Sequence, residues 1–142
     1  MTFEFEFDPT FVATCHCLDC KKASGGEAAT FFAVPEENFR LSSGDPKPFP
    51  YIAQSGNRLE RFYCPNCGAR VFTGNLEGFP NTVFVQLASL DDPTGIDPKM
   101  EMFTKRRLPW ATPLMNVPQY TDMPTAAPPE PEKVQVPMGA AT

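Results

Sequence analysis

The chain has 142 residues, 12 of them basic and 17 acidic, and a formal net charge of −5. Its length allows one domain, and the acidic balance argues against nucleic acids or anionic membranes as partners, because both require a basic surface. The 42% of hydrophobic residues exclude global disorder, no apolar run is long enough to span a membrane, and the first residues are acidic where a signal peptide is basic, so we expect a soluble cytoplasmic protein.

Short strands separated by turns are the main pattern along the chain, because 17 prolines and 9 glycines leave no room for a long helix. Phe3, Phe5 and Phe7 alternate with acids, which is typical of a strand with one buried face. Further strands are predicted at 11–14, 28–34, 39–41, 50–53, 58–63, 69–73, 82–87 and 100–104, with one helical turn at 35–38. The sequence therefore predicts an all-β domain.

The composition changes after Tyr120. Residues 121–142 are rich in proline, alanine and glutamate and contain no aromatic side chain. Such a segment buries too little apolar area to offset the entropy lost on ordering. We therefore predict a folded domain over 1–120 and a disordered tail over 121–142.

The five cysteines fall into two clusters, and an odd count without a secretory signal argues against a disulfide framework. Cys64 and Cys67, followed by Gly68, are typical of a knuckle in which two thiolates bind one metal ion. Two buried free cysteines at this spacing are the alternative interpretation. The thiolate ligands favour zinc over magnesium, calcium or manganese.

The other cluster is Cys15-His-Cys17-Leu-Asp-Cys20, with three thiols within six residues. One ion can bind all three thiols and keep its fourth tetrahedral position for water or substrate, which is the catalytic arrangement of zinc. A closed structural site, with the fourth thiol supplied by the other cluster, is equally compatible with the spacing. Because a divalent ion with three cysteinates has one net negative charge, it is better suited to holding a substrate thiolate than to generating hydroxide.

Five motifs in order resemble the GFA family, the glutathione-dependent formaldehyde-activating enzymes and the related CENP-V-type domains. They are Cys15-His-Cys-x-x-Cys-Lys-Lys, Leu41-Ser-Ser-Gly-Asp-Pro, Arg61-x-x-Cys-Pro-x-Cys-Gly, Ala88-Ser-Leu-Asp-Asp-Pro and Arg107-Leu-Pro-Trp. The resemblance spans residues 2–120 and implies a β-tent fold of packed antiparallel sheets with two zinc sites. It implies a catalytic zinc at Cys15, Cys17 and Cys20, and a carbon–sulfur lyase acting on S-hydroxymethylglutathione, or on formaldehyde plus glutathione.

Two departures from the family pattern affect these expectations. Family members usually begin with a strand bearing Cys-x-Cys-Gly, whose thiols complete the zinc site of the later knuckle, and this chain begins after that strand. We therefore expect Cys64 and Cys67 to form half a site, which makes one or two zinc ions per chain. The sheet edge left by a missing strand favours a homodimer. Glu101 stands where the family commonly has a histidine, which makes it a candidate for proton transfer.

Several residues near these motifs have two interpretations. Lys21 and Lys22 follow the third thiol, and Lys22 is a candidate catalytic residue that balances the anionic site or meets a glutathione carboxylate; a solvated pair is the alternative. His16 is predicted to be structural, with a proton relay as the alternative. Trp110 is predicted to be a core residue, with stacking on a ligand as the alternative.

Arg58 and Arg61 are expected to form ion pairs with surface acids rather than to bind a substrate.

Other functions remain open at this point. The same fold acting on another small metabolite, by elimination or isomerisation, is one alternative to the thiol-adduct enzyme. A non-catalytic, zinc-stabilised binding module is the other.

Overall fold

The computed structural model describes residues 1–6, 11–124 and 139–141, and the backbone alone for the last three. The described chain contains one α-helix, α1 (Leu18–Ser24), and short 3-10 turns at Glu36–Asn38, Leu87–Ser89 and Thr104–Arg106. No helix in this part of the chain is long and apolar enough to cross a membrane. The strands are β1 (Thr2–Phe5), β2 (Val12–Cys15), β3 (Ala29–Pro35), β4 (Phe39–Ser43), β5 (Lys47–Ile52), β6 (Arg58–Tyr63), β7 (Arg70–Gly74), β8 (Thr82–Gln86), β9 (Met100–Met102) and β10 (Gly139–Ala141).

The strands form two sheets, which confirms the predicted all-β class. The larger sheet has seven strands in the order β5-β6-β7-β8-β3-β2-β9, and the smaller has three in the order β10-β1-β4. Every neighbouring pair is antiparallel except β2 and β9, which run parallel. Strand β1 is paired on both sides, with β10 and β4, and the homodimer stays a prediction.

Phenylalanine side chains join the two sheets. Phe3 and Phe5 of β1 are fully buried and point at the larger sheet, with the Phe5 and Phe32 ring centroids 5.0 Å apart. The ring centroid of Phe39, in the smaller sheet, lies 5.3 Å from that of Phe3 and 4.7 Å from that of Phe72 in the larger sheet. The alternation of phenylalanine and acid in β1 therefore describes one face in the core, as predicted; Phe7 lies outside the described residues.

The strand bounds differ from the predicted ones most at β5. This strand begins at Lys47, three residues earlier than expected, and includes Pro48 and Pro50. Proline has no N–H to donate, so it is tolerated where one side of a strand lacks a partner. Strand β5 lies at the end of the seven-stranded order, so it has a neighbouring strand of that sheet on one side only.

Helix α1 and strand β10 lie outside the helical turn and strands predicted from the sequence. Helix α1 was not predicted, because its seven residues show no apolar stripe and none of them is buried. Strand β10, which lies within 121–142, pairs antiparallel with β1, and the division into a domain over 1–120 and a disordered tail stays a prediction. Strand β1 otherwise leaves unpaired N–H and C=O groups on that side, and the β10 backbone satisfies them. Residues 125–138 and 142 of the predicted tail lie outside the described residues.

The prediction that Trp110 belongs to the core is wrong. Its side chain is 70% exposed. The segment around it is held instead by polar contacts, since Arg107 and the Leu114 N–H both bond to the buried carboxylate of Glu101. The ring therefore does not need to be buried to fix this loop.

Candidate metal centre

Three cysteine side chains converge where β2 meets α1. Cys15 is the last residue of β2, Cys17 caps α1, and Cys20 lies in its first turn. Their sulfur atoms all lie within 4.8 Å of one another. A tetrahedral ion with zinc–sulfur bonds near 2.3 Å needs sulfur separations of about 3.8 Å. Small side-chain adjustments therefore let all three thiolates bind one ion.

The local backbone explains this convergence. Cys17 has an extended conformation (φ −62°, ψ 160°), and its sulfur accepts a hydrogen bond from the Cys20 N–H at 3.3 Å. This is an N-cap in which sulfur takes the place of the usual oxygen. The helix ends at Gly25, whose φ of 70° is left-handed. The cap sets the relative position of Cys17 and Cys20 before any ligand binds.

Cys15 is fixed by packing rather than by a cap. It is 2% exposed and belongs to an apolar cluster with Ala13, Phe31, Met100 and Met102. These side chains come from β2, β3 and β9, which are neighbours in the larger sheet. The core therefore holds one ligand of the candidate site rigidly, which lowers the entropy lost when a metal binds.

The three thiols share protons with one another. Hydrogen bonds from the Cys15 and Cys20 thiols lower the pKa of Cys17. Hydrogen bonds to Cys17 and Cys20, together with burial, raise the pKa of Cys15. One thiolate is thus favoured in the cluster, and a soft divalent cation can displace the remaining protons. The donor set, its convergence and its buried side fit zinc.

The fourth ligand position is open within the described chain. No further cysteine, histidine, aspartate or glutamate of residues 1–6 and 11–124 joins this group of three. The alternative site closed by a thiol of the other cluster is therefore not formed there. An open position on three fixed thiolates is the arrangement that allows a substrate atom to bind.

The second cysteine pair has the backbone of a knuckle. Cys64 is buried and Cys67 is exposed. The Gly68 N–H bonds to the Cys64 carbonyl oxygen, and the Cys64 N–H bonds to that of Ala69, both at 2.8 Å. The N–H groups of Cys67 and Asn66 lower the pKa of Cys64. No third ligating side chain lies with this pair among the described residues, so its role as a zinc half-site stays a prediction.

Gly68 offers a direct test of the knuckle backbone. Its φ is 76°, and a Cβ added there would meet nothing within 4 Å. Gly68→Ala is therefore expected to lower the free energy of unfolding by about 1–2 kcal/mol through backbone strain alone. Urea denaturation measures this value. Gly26→Ala, where φ is not positive and the nearest atoms lie at 3.7 Å, is the matched control, and equal effects at both glycines would contradict the strain explanation.

His16 points away from the thiols and into a buried polar network. Its Nε2 lies 2.8 Å from Oε1 of Glu101, and the two side chains are 3% and 2% exposed. The other oxygen, Oε2, accepts hydrogen bonds from the Leu114 N–H at 2.9 Å, Gln119 Nε2 at 2.6 Å and Arg107 at 3.0 Å. His16 lies in sequence between the candidate ligands Cys15 and Cys17. Glu101 therefore links the segment that carries these ligands to the loop that follows β9. A catalytic role for Glu101 stays a prediction.

The two lysines after Cys20 differ in their contacts. Lys21 donates a hydrogen bond from Nζ to the Arg106 carbonyl oxygen at 2.7 Å, which ties α1 to the turn after β9. Lys22 is exposed, and none of the hydrogen bonds found in the described residues involves its side chain. Its role in catalysis stays a prediction.

Sequence reasoning missed the part played by two arginines. Arg61 and Arg70 lie on the neighbouring strands β6 and β7, and Arg61 donates a hydrogen bond to the Asp19 carbonyl oxygen in α1 at 3.5 Å. The expected ion pairs of Arg58 and Arg61 are not formed within the described chain. Arg61 stacks instead on the Tyr51 ring, 3.9 Å from its centroid. The signal that points to this cluster is the two cations on paired strands, but it needs the strand register to be read.

The comparisons with known proteins agree with the site. The family model described as glutathione-dependent formaldehyde-activating enzyme matches residues 1–106, which include both cysteine clusters and Glu101. No curated protein matches the sequence significantly. The matched region covers most of the chain, so the protein belongs to the GFA family of glutathione-dependent formaldehyde-activating enzymes.

Proposed function

We propose that the protein binds one zinc ion through Cys15, Cys17 and Cys20 and forms or cleaves the carbon–sulfur bond of a thiol–aldehyde adduct. The observation that carries the proposal is the convergence of three thiols with an open fourth position. Membership of the GFA family supports formaldehyde and glutathione as the reacting pair, and S-hydroxymethylglutathione as the adduct. This chemistry needs reduced cysteines, which agrees with a cytoplasmic location.

A thiol needs activation for this reaction at neutral pH. A free thiol with a pKa near about 8.5 is ionised to only a few per cent at pH 7. Zinc, when bound, supplies a site that stabilises the substrate sulfur as a thiolate. The three cysteines hold that position, two through the cap of α1 and one through the apolar cluster around Cys15.

The reaction itself balances without a redox partner. The sulfur lone pair forms a bond to the carbonyl carbon, and the C=O π electrons move to oxygen. That oxygen takes up the proton that the thiol lost, which gives the hydroxymethyl thioether. Cleavage is the reverse: the hydroxyl proton leaves, the carbonyl re-forms, and the electrons of the carbon–sulfur bond return to sulfur.

The test is the exchange rate between formaldehyde and its glutathione adduct. With ¹³C-formaldehyde, exchange spectroscopy by NMR measures this rate in the presence of the zinc-loaded protein. We expect the rate to exceed the uncatalysed rate in proportion to protein concentration. Removing zinc with a chelator should return it to the uncatalysed value, and adding zinc back should restore it. A rate that is the same with and without zinc would contradict the proposal.

A further inference from the structure

Two guanidinium groups beside the thiols have buried nitrogens without hydrogen-bond partners among the described residues. These atoms are Nε of Arg61 and both Nε and Nη1 of Arg70. More than nine in ten buried polar groups in proteins have a partner, and a buried charged donor without one is more costly than a neutral one. These three donors, on two neighbouring arginines, could bind a group that the described residues do not supply.

The strand register brings the two arginines together. Arg61 of β6 lies opposite Thr73 of β7, and Arg70 donates a hydrogen bond from Nη2 to Oγ1 of that threonine at 2.9 Å. Arg61 reaches the carbonyl oxygen of Asp19, which lies between two of the candidate ligands. Burial lowers the pKa of Arg70, and the nearby charge of Cys20 partly offsets this. Both cations therefore lie on the side of β6 and β7 that faces the thiols.

No acid of the described chain neutralises these arginines. The ion pairs found there involve other residues, and neither Arg61 nor Arg70 takes part. The carboxylate of Asp19, the residue whose carbonyl oxygen Arg61 contacts, accepts hydrogen bonds from the Tyr51 hydroxyl at 2.5 Å and the Gln54 N–H at 3.0 Å. Tyr51 in turn stacks against Arg61, so this cation is held in place without an ion pair in the described part of the chain.

The thiolates of the metal centre do not fully account for the arginines. Three cysteinates and a divalent ion leave one net negative charge, and a bound substrate thiolate makes it two, so the two guanidiniums can balance the charge of the centre. Sulfur is, however, a weak hydrogen-bond acceptor, so it does not satisfy the N–H groups that lack a partner among the described residues. A carboxylate does satisfy them, because its oxygens form strong charge-assisted hydrogen bonds with guanidinium groups.

We propose that Arg61 and Arg70 form a subsite for a carboxylate of the substrate, so that the protein selects thiols that carry a carboxylate over neutral thiols. The proposal rests on the proposed function, because it assumes that a substrate sulfur occupies the open metal position. It goes further by assigning to two named residues the choice among thiols. In this arrangement the metal binds the sulfur and the arginines orient the rest of the molecule.

The experiment compares two thiols that differ in one charge. Cobalt(II) replaces zinc in the full chain, and its absorption spectrum reports the entry of a fourth sulfur. 3-Mercaptopropionate and its methyl ester are titrated in turn. We expect the acid to bind about tenfold more tightly or better, the size of one charge-assisted hydrogen bond. Arg70→Gln and Arg61→Gln should each reduce this preference by weakening the binding of the acid more than that of the ester.

Arg58→Gln is the matched control, because Arg58 lies exposed on the same strand β6 and should keep the full preference. Equal affinities of the acid and the ester for the unmodified protein would overturn the subsite and leave the thiol chemistry standing. A variant that weakens both ligands alike would also overturn it and make the arginines counter-charges of the metal centre. If neither thiol changes the cobalt spectrum, both the subsite and the proposed function fail. The comparison in the unmodified protein keeps the test decisive even if a variant does not fold.

Discussion

Replacing Cys17 with serine is expected to lower bound zinc by about one ion per chain, which is the ion held by Cys15, Cys17 and Cys20. It should also return formaldehyde–glutathione exchange to the uncatalysed rate. A serine hydroxyl is a poor zinc ligand, since it remains protonated at neutral pH, and two thiolates alone hold the ion weakly. Serine is, however, one of the best N-cap residues. The variant therefore removes the ligand while retaining the cap of α1 that Cys17 provides.

Elemental mass spectrometry gives the zinc content, NMR exchange gives the rate, and circular dichroism checks the fold. Ser24→Ala, at the exposed end of the same helix, removes a hydroxyl that bonds only to nearby backbone and should leave zinc content and rate unchanged. Zinc loss without loss of turnover would show that the sulfur chemistry does not need the metal. Full zinc retention by Cys17→Ser would show that Cys17 is not a ligand.

The strands could be predicted because their signals are local. Alternation in β1 and the turn residues around β6 mark segments that the larger context does not alter, and β6 spans the predicted 58–63. The early start of β5 could not be predicted, because the prolines at 48 and 50 are tolerated only at the edge of the sheet. Which strand lies at the edge is decided by pairing across the whole chain.

Helix α1 shows a different limit. It has seven residues, too few to be stable as an isolated helix, and lacks an apolar stripe. Three hydrogen bonds stabilise the helix in the fold: the sulfur cap at Cys17, the bond from Lys21 to the Arg106 carbonyl oxygen, and the bond from the Tyr51 hydroxyl to Asp19. These contacts join segments that are far apart in sequence, so no window of the sequence contains the signal.

The candidate site likewise contains some residues whose role follows from local spacing and others whose role depends on strand pairing. The cysteine spacing alone indicated three thiols on one ion, because all three lie within six residues. The arginine subsite depends on the register of β6 against β7. The Glu101 network depends on β9 lying parallel to β2, which places Glu101 opposite Thr14. Its partner His16 is 85 residues away in the sequence, and the pairing of these strands brings the two side chains together. Sequence reasoning found Glu101 only as a departure from a family pattern and could not give its partners.

Removing the Glu101 side chain is expected to destabilise the fold strongly. Its carboxylate is 2% exposed and bonds to His16, Arg107, Gln119 and the Leu114 N–H. Glu101→Ala leaves these donors, one of them a cation, without their acceptor. Breaking a buried, hydrogen-bonded charge pair costs about 3–5 kcal/mol, and urea denaturation should show a loss of that size. Glu37→Ala, at an exposed glutamate, is the control and should change the free energy of unfolding by less than about 0.5 kcal/mol.

The pH dependence of the unfolding free energy distinguishes the contribution of the Glu101 charge from that of its packing. Burial raises the pKa of this carboxyl, but the hydrogen bonds from His16, Leu114 and Gln119 and the charge of Arg107 outweigh burial, so the pKa lies below its usual value. A lowered folded-state pKa means that the stabilisation is complete above the unfolded-state pKa and is lost as the pH falls through the folded-state value. The difference in unfolding free energy between the unmodified protein and Glu101→Gln should therefore be constant above about pH 5 and shrink below about pH 4. A difference that stays constant into acid would mean that the carboxylate charge contributes nothing and that packing alone holds the loop after β9.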